Sequence, residues 1–198
     1  MSTTYPELFV IRHGQTLWNV EGRHQGRLDS RLTATGTEQA RRMGTMLLKR
    51  VKDRRDMTAV TSPQGRAHST AQIAMAPLGW PVTVDDRLCE TSFGAWEGLT
   101  LDEIRQNWPQ QATFGEDNPL EWNFKSPGGE SLTDLQSRAD SFLGDLTGPA
   151  IVFTHGIFSR VLRARWLGLT DEGMLALPGG QGVIFHLCPD HGHQLIEK

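Results

Sequence analysis

The feature that most constrains the fold is an alternation: short apolar runs that stop at glycine, proline or a polar pair, separated by stretches with helical spacing. Leu8–Ile11 is the first such run and is bounded by Gly14; Thr58–Thr61 stops at Ser62-Pro63. Pro81–Val84 is a third short run, Ala150–Thr154 the strongest, and Val183–Leu187 a late one. Between them, Ala40, Met43, Gly44, Leu47, Leu48 and Val51 recur at helical intervals behind Thr33, a suitable N-cap. Residues 64–75 and 157–167 read as helices, and Leu132, Leu135, Ala139, Phe142, Leu143 and Leu146 mark another face before Gly148-Pro149. Strands alternating with helices predict a three-layer α/β/α architecture, with a mixed, mostly parallel sheet and helices on both faces. The 198 residues fit a single domain, 1–198. Residues 85–130 break the alternation, with one helical stretch at Leu101–Trp108, and read as an inserted lid over one edge of the sheet.

In open α/β sheets, ligands bind beyond the carboxyl ends of the strands. That rule selects Arg12-His13 after the first strand, Ser62 to Arg66 after the second, and His155 after the strongest. Each offers a group that is or can become cationic. Arginine stays charged and its planar fork matches phosphate oxygens, so two arginines and two histidines around one point describe a phosphoryl site. One histidine can serve as nucleophile if neutral, and neighbouring positive charge favours that form. A carboxylic acid is still needed to protonate the leaving alcohol.

Other chemistries fail on spacing. A cysteine phosphatase loop needs arginine six residues after cysteine, where Ala95 and Gln194 stand. There is no Asp-x-Asp pair, no Gly-Lys pair of a phosphate loop and no His-Glu-x-x-His zinc helix. His191-Gly192-His193 reads as a polar turn near the C-terminus. Two cysteines, Cys89 and Cys188, are too few for a disulfide framework and lack metal-site spacing. A net charge of −3 gives no push toward nucleic acid or anionic membranes, and no run approaches the ~18 apolar residues of a membrane span. No signal peptide is legible in MSTTYPE, so the cytoplasm is the expected compartment.

Six ordered blocks carry a resemblance. They are Arg12-His13-Gly14 with Thr16 and Asn19; Leu32-Thr33-x-x-Gly36-x-x-Gln39-Ala40; and Thr61-Ser62-Pro63 leading to Arg66 and Thr70-Ala71. Glu90-x-x-Phe93-Gly94-x-Trp96-Glu97-Gly98, Pro127-Gly128-Gly129-Glu130-Ser131 and Thr154-His155-Gly156 complete the set. The chain resembles the histidine phosphatase superfamily, with a phosphoglycerate mutase-like fold. The resemblance implies that His13 is the phosphorylated nucleophile and that Arg12, Arg66 and His155 hold the phosphoryl oxygens. It makes Glu90 the general acid that later activates water, and Asn19, Gln25 and Gly156 part of the substrate pocket. It implies neither metal nor cofactor. Gln15 stands where glutamate is commoner. Thr16 and Gly156 depart from the acid phosphatase branch, with its Arg-His-Gly-x-Arg-x-Pro and late His-Asp.

Glu97, seven residues from Glu90, is the rival acid. Arg23, Arg27 and Arg31 either extend a positive funnel or line a solvated loop. Residues 91–148 hold three basic residues, Arg105, Lys125 and Arg138, against ten acidic ones. A mutase grips a bisphosphorylated acid with extra basic residues on its lid. This lid instead offers Phe93, Trp96, Trp108, Phe114, Trp122 and Phe124, suited to an uncharged part of a substrate or packed as core. The expected activity is a metal-independent phosphomonoester hydrolase acting on a small phosphorylated metabolite through a phosphohistidine. A cofactor-dependent phosphoglycerate mutase is the alternative, and a non-catalytic phospho-ligand binder a third reading. A homo-oligomer, joined through the lid tryptophans, is compatible with the sequence.

Overall fold

The computed structural model describes residues 5–111 and 119–197; Phe114 lies outside them. Six strands form one sheet: β1 (Leu8–Arg12), β2 (Thr58–Thr61), β3 (Val82–Val84), β4 (Ala150–Thr154), β5 (Ile184–Cys188) and β6 (Gly192–Ile196). Their order is β3-β2-β4-β1-β5-β6, the first four parallel and the last two antiparallel. The helices are α1 (Leu17–Glu21), α2 (Ala34–Val51), α3 (Gly65–Met75), α4 (Leu101–Asn107), α5 (Pro119–Trp122), α6 (Leu132–Gly144), α7 (Gly156–Leu167) and α8 (Asp171–Leu175).

The central strands read as unbroken apolar runs because both of their faces are covered. Leu8, Val10, Ala150 and Val152 pack in one layer with Leu135, Ala139 and Phe142 of α6 and Phe158, Val161 and Leu162 of α7. Phe9, Ile11, Ile151 and Phe153 face the other way, onto Met43 and Leu47 of α2 and Ala71 and Ala74 of α3. Each fully buried Leu, Ile or Phe contributes about 1.5–3 kcal/mol over its exposed state. The caps follow the sequence: Thr33 Oγ1 accepts from Gly36 N at 3.0 Å, and Ser131 forms a reciprocal capping box with Asp134.

Register then positions the chemistry. Arg12 pairs with Thr154 across β1 and β4, and His13 N donates to Thr154 O at 3.0 Å. The residues that follow the two strands, His13 and His155, therefore leave the sheet side by side.

Four elements depart from the sequence reading: β6, α1, α5 and α8. The polar turn expected at 191–193 ends sooner: Gly192 and His193 already belong to β6, with His193 opposite Leu187. The segment GHQLI has too few apolar residues for periodicity to register, because β6 is an edge strand with Leu195 exposed. Helix α1 buries no residue at all, so it leaves no apolar stripe to read. The 85–130 segment contains α4, α5 and two single 3₁₀ turns. Phe93, Trp96, Ile104 and Trp122 form its own small core. No helix among the described residues is long and apolar enough to cross a membrane.

The loop carrying His13 is seated by a backbone-to-backbone contact. A Cβ on Gly36 would lie 2.0 Å from Gln15 O, and one on Gly14 2.3 Å from Gly36 O. Neither neighbour is a side chain that could swing away. Gly36→Ala is expected to cost roughly 3 kcal/mol, the upper end of overpacking losses. A urea melt with an unchanged midpoint would refute that contact's importance.

Candidate active site

The carboxyl ends of β1, β2 and β4 open into a cavity of about 330 Å³. Its walls include Arg12, His13, Asn19, Gln25, Arg66, Glu90 and Gly156, seven of the eight residues singled out from the sequence. The eighth, His155, is fully buried beside His13, with ring centroids 5.3 Å apart.

His13 Nδ1 lies 2.8 Å from Gly14 O. A carbonyl only accepts, so Nδ1 holds the proton and Nε2 carries the lone pair. Burial, then the Arg12 and Arg66 guanidinium groups, push the His13 imidazolium well below the usual histidine range; the bond to Gly14 opposes them weakly. His155 is pushed down too, by burial first and then by Arg66, His13, Arg12 and Arg27. Its Nε2 is 2.8 Å from Ser62 Oγ, which also receives Gln64 N, while its Nδ1 is buried with no protein partner.

Arg66, in the first turn of α3, donates to Leu28 O at 2.6 Å, Asp29 Oδ1 at 3.0 Å and Gly26 O at 2.9 Å, leaving buried Nε unpartnered. Arg12 Nε is likewise buried without a partner. The Arg12 guanidinium packs on the start of α7, where a Cβ on Gly156 would stand 3.3 Å from its Cζ, so glycine lets the two approach. Gln25 lines the cavity with Oε1 unpartnered. Asn19 Oδ1 is occupied by Thr16 and Gln181.

The two candidate acids, Glu90 and Glu97, differ in position. Glu90 Oε1 accepts from Thr91 N and Phe158 N, both at 3.0 Å, and Oε2 accepts from Ile157 N at 3.1 Å. Backbone N–H groups of the first turn of α7 thus fix the position of this carboxyl group, and Oε2 keeps a free lone pair. Glu97 Oε1 instead receives Arg27 N, Ser92 Oγ and Phe93 N, away from the cavity wall. Of the three loop arginines only Arg23 borders the cavity, and it is held by Glu21 and Glu103. The aromatics of the 85–130 segment are mainly core: Trp96 is fully buried against Trp122, Phe124 packs on the main core, and Phe93 reaches the cavity.

Arg160, Arg163 and His24 also line the cavity and were not read from the sequence. The spacing Gly156, Arg160, Arg163, one helical face below the His155 strand end, was the available signal.

Two buried neutral histidines make stability depend on pH. Below about 6.5 the unfolded chain takes up protons that His13 and His155 refuse, so their contribution is intact above that pH and shrinks below it. The loss runs at about 1.4 kcal/mol per group per pH unit until the folded groups titrate. Urea unfolding should therefore show roughly 2 kcal/mol less stability at pH 5.5 than at 6.5 from this pair. A flat profile would contradict it.

Fold and site together define a phosphatase-type enzyme. The model of the histidine phosphatase superfamily (branch 1) matches residues 8–198. An acid phosphatase of Mycobacterium tuberculosis is 34% identical over 178 residues, covering 86% of this chain and 81% of that protein. A probable phosphoglycerate mutase of Salmonella paratyphi C is 32% identical over 172 residues, covering 82% and 75%. A solved mycobacterial glucosyl-3-phosphoglycerate phosphatase superposes with a TM-score of 0.81 at 31% identity, over 96% of each chain. The chain belongs to the histidine phosphatase superfamily, branch 1.

Proposed function

We propose that the protein is a metal-independent phosphomonoester hydrolase acting on a small phosphorylated metabolite through a phosphohistidine on His13. One observation carries the reading: in the same site as the free lone pair of His13 Nε2, three buried nitrogens, Arg12 Nε, Arg66 Nε and His155 Nδ1, have no hydrogen-bond partner among the described residues. Buried polar atoms are normally satisfied, and in this reading phosphoryl oxygens are the acceptors that these three lack. Nε2 attacks phosphorus as the ester P–O bond breaks, and Glu90 Oε2 delivers a proton to the departing alkoxide. Water then loses a proton to Glu90 and attacks phosphorus; the P–N bond breaks, releasing inorganic phosphate and restoring both groups. Asn19, Gln25 and Gly156 belong to the pocket in this reading, the 85–130 segment is its lid within one domain, and the cytoplasm is its compartment.

The mutase alternative uses the same nucleophile and differs in what becomes of the phosphohistidine. Steady-state assays separate the two, one with p-nitrophenyl phosphate and one following isomerisation of 3-phosphoglycerate primed with bisphosphoglycerate. Efficient isomerisation with negligible hydrolysis would reverse the assignment.

A further inference from the structure

The amino end of β1, opposite the end that presents His13, carries a cluster that plays no part in the chemistry above. Among the described residues, one group of three metal-ligating side chains comes together: Glu7, His186 and Cys188, whose donor atoms all lie within 4.8 Å of one another. The strand pairing accounts for it. His186 and Cys188 stand at i and i+2 of β5, so their side chains share one face of the sheet. Phe9 lies opposite His186 and Leu8 opposite Leu187, which brings Glu7, just before β1, level with Cys188. Glu7 and His186, 179 positions apart in the chain, meet with Oε1 2.6 Å from Nε2. His13 follows the far end of β1, about 20 Å away at the rise of an extended strand.

Each donor is oriented by a neighbour, as metal ligands are. The backbone oxygen of Glu7 accepts from Ala150 N at 3.0 Å. Arg54 Nη2 donates to Glu7 Oε2 at 3.0 Å, which leaves Oε1 to the histidine, and Asp56 offsets the Arg54 charge with two contacts at 2.7 and 2.8 Å. The His186 ring stacks on Phe9, with centroids 4.3 Å apart. Cys188 is a half-buried free thiol. Its partner across β6 is Gly192, where a Cβ would meet nothing within 4 Å, so that residue sets no side chain beside the sulfur. A hydrogen bond between Glu7 and His186 accounts for two of the three groups and leaves the thiol without a role. One sulfur, one nitrogen and one oxygen form the ligand set of a borderline transition-metal ion such as zinc, whereas magnesium and calcium take oxygen. Zinc at about 2.0–2.3 Å from each donor would set the donors about 3.3–3.6 Å apart. The Glu7–His186 pair then opens by roughly 1 Å and no separation closes by more than about 1.5 Å, movements within the reach of side-chain rotation.

We propose that Glu7, His186 and Cys188 form a zinc site, separate from the phosphoryl cavity, that clamps the start of β1 to β5, with water completing the coordination. On binding, the Cys188 thiol gives its proton to solvent as the Zn–S bond forms, and His186 Nε2 offers its lone pair while Nδ1 keeps the ring proton. The site goes beyond the hydrolase reading and takes no part in it. Two cysteines without metal-site spacing in the chain thus conceal one whose partners come from another strand.

Titration of the chelator-treated protein with Co²⁺ and Zn²⁺ tests it. Wild type should bind Co²⁺ with a thiolate-to-metal charge-transfer band in the near ultraviolet, and Zn²⁺ should abolish that band by displacement. At free Zn²⁺ about 100 times its Kd, the melting temperature should rise by roughly 5–10 °C. Cys188→Ser should lose the band and the melting shift, with Kd for Zn²⁺ raised about 100-fold or more, since a lost ligand costs no less than a lost outer-shell partner. A wild-type Co²⁺ spectrum without the charge-transfer band would overturn the site, and that result does not depend on any variant folding. Zn²⁺ affinity and a melting shift retained in full by Cys188→Ser would overturn it too, by placing the ion elsewhere, on the histidines of the cavity.

Discussion

Replacing His13 by alanine should abolish turnover, with kcat down on the order of 10⁴-fold or more, because no second nucleophile stands at that point. The variant removes a ring that is 3% exposed at the end of β1, so its fold should persist, with a modest fall in melting temperature from the cavity left behind. The direct measurement is rapid-quench labelling with a ³²P-phosphomonoester. Wild type should give an acid-labile, base-stable phosphoprotein, and His13→Ala none. Residual activity within tenfold of wild type would rule His13 out as nucleophile. Tight phosphate binding by wild type with neither label nor turnover would favour a non-catalytic binder instead.

Glu90→Gln should separate substrates by leaving group. Alkyl phosphates need a proton on the departing oxygen and should slow by about 10²–10⁴-fold, while p-nitrophenyl phosphate, whose phenolate leaves unassisted, should slow far less. Glutamine also turns an amide N–H₂ toward a backbone donor, since both Glu90 oxygens now accept from N–H groups. About 1–3 kcal/mol of stability should go with it. The ratio between the two substrate types is insensitive to that loss, which makes it the decisive quantity. Equal losses on both would transfer the role to another acid.

The central part of this molecule was legible because its physics is local. A strand covered on both faces must be apolar throughout, so β1 and β4 announce themselves, and the polar pairs that follow them mark the carboxyl edge of the sheet. Arg12, His13, Arg66 and His155 could be grouped before any geometry was known, since strand ends and helix starts fix where such residues go. Glu90 could be named only through the family pattern; what distinguishes it from Glu97 is the turn of backbone it rests on, which spacing does not encode. Arg160 and Arg163 were invisible for a related reason. On a stretch that reads as a helix over 157–167, two arginines look like a solvated face. Their place on the cavity wall is a three-dimensional property. Edge strand β6 and helix α1 were missed because they bury too little to leave a pattern.

The anchoring of Glu90 has an evolutionary consequence. Glu90 is carried near the start of the 85–130 segment, yet its position is set by backbone N–H groups of α7, the helix that His155 opens. Residues beyond it can therefore drift, lengthen or repack while the place of Glu90 on the cavity wall stays fixed. A chain wired in this way can change clients without relearning its reaction, and specificity and chemistry become separately heritable traits.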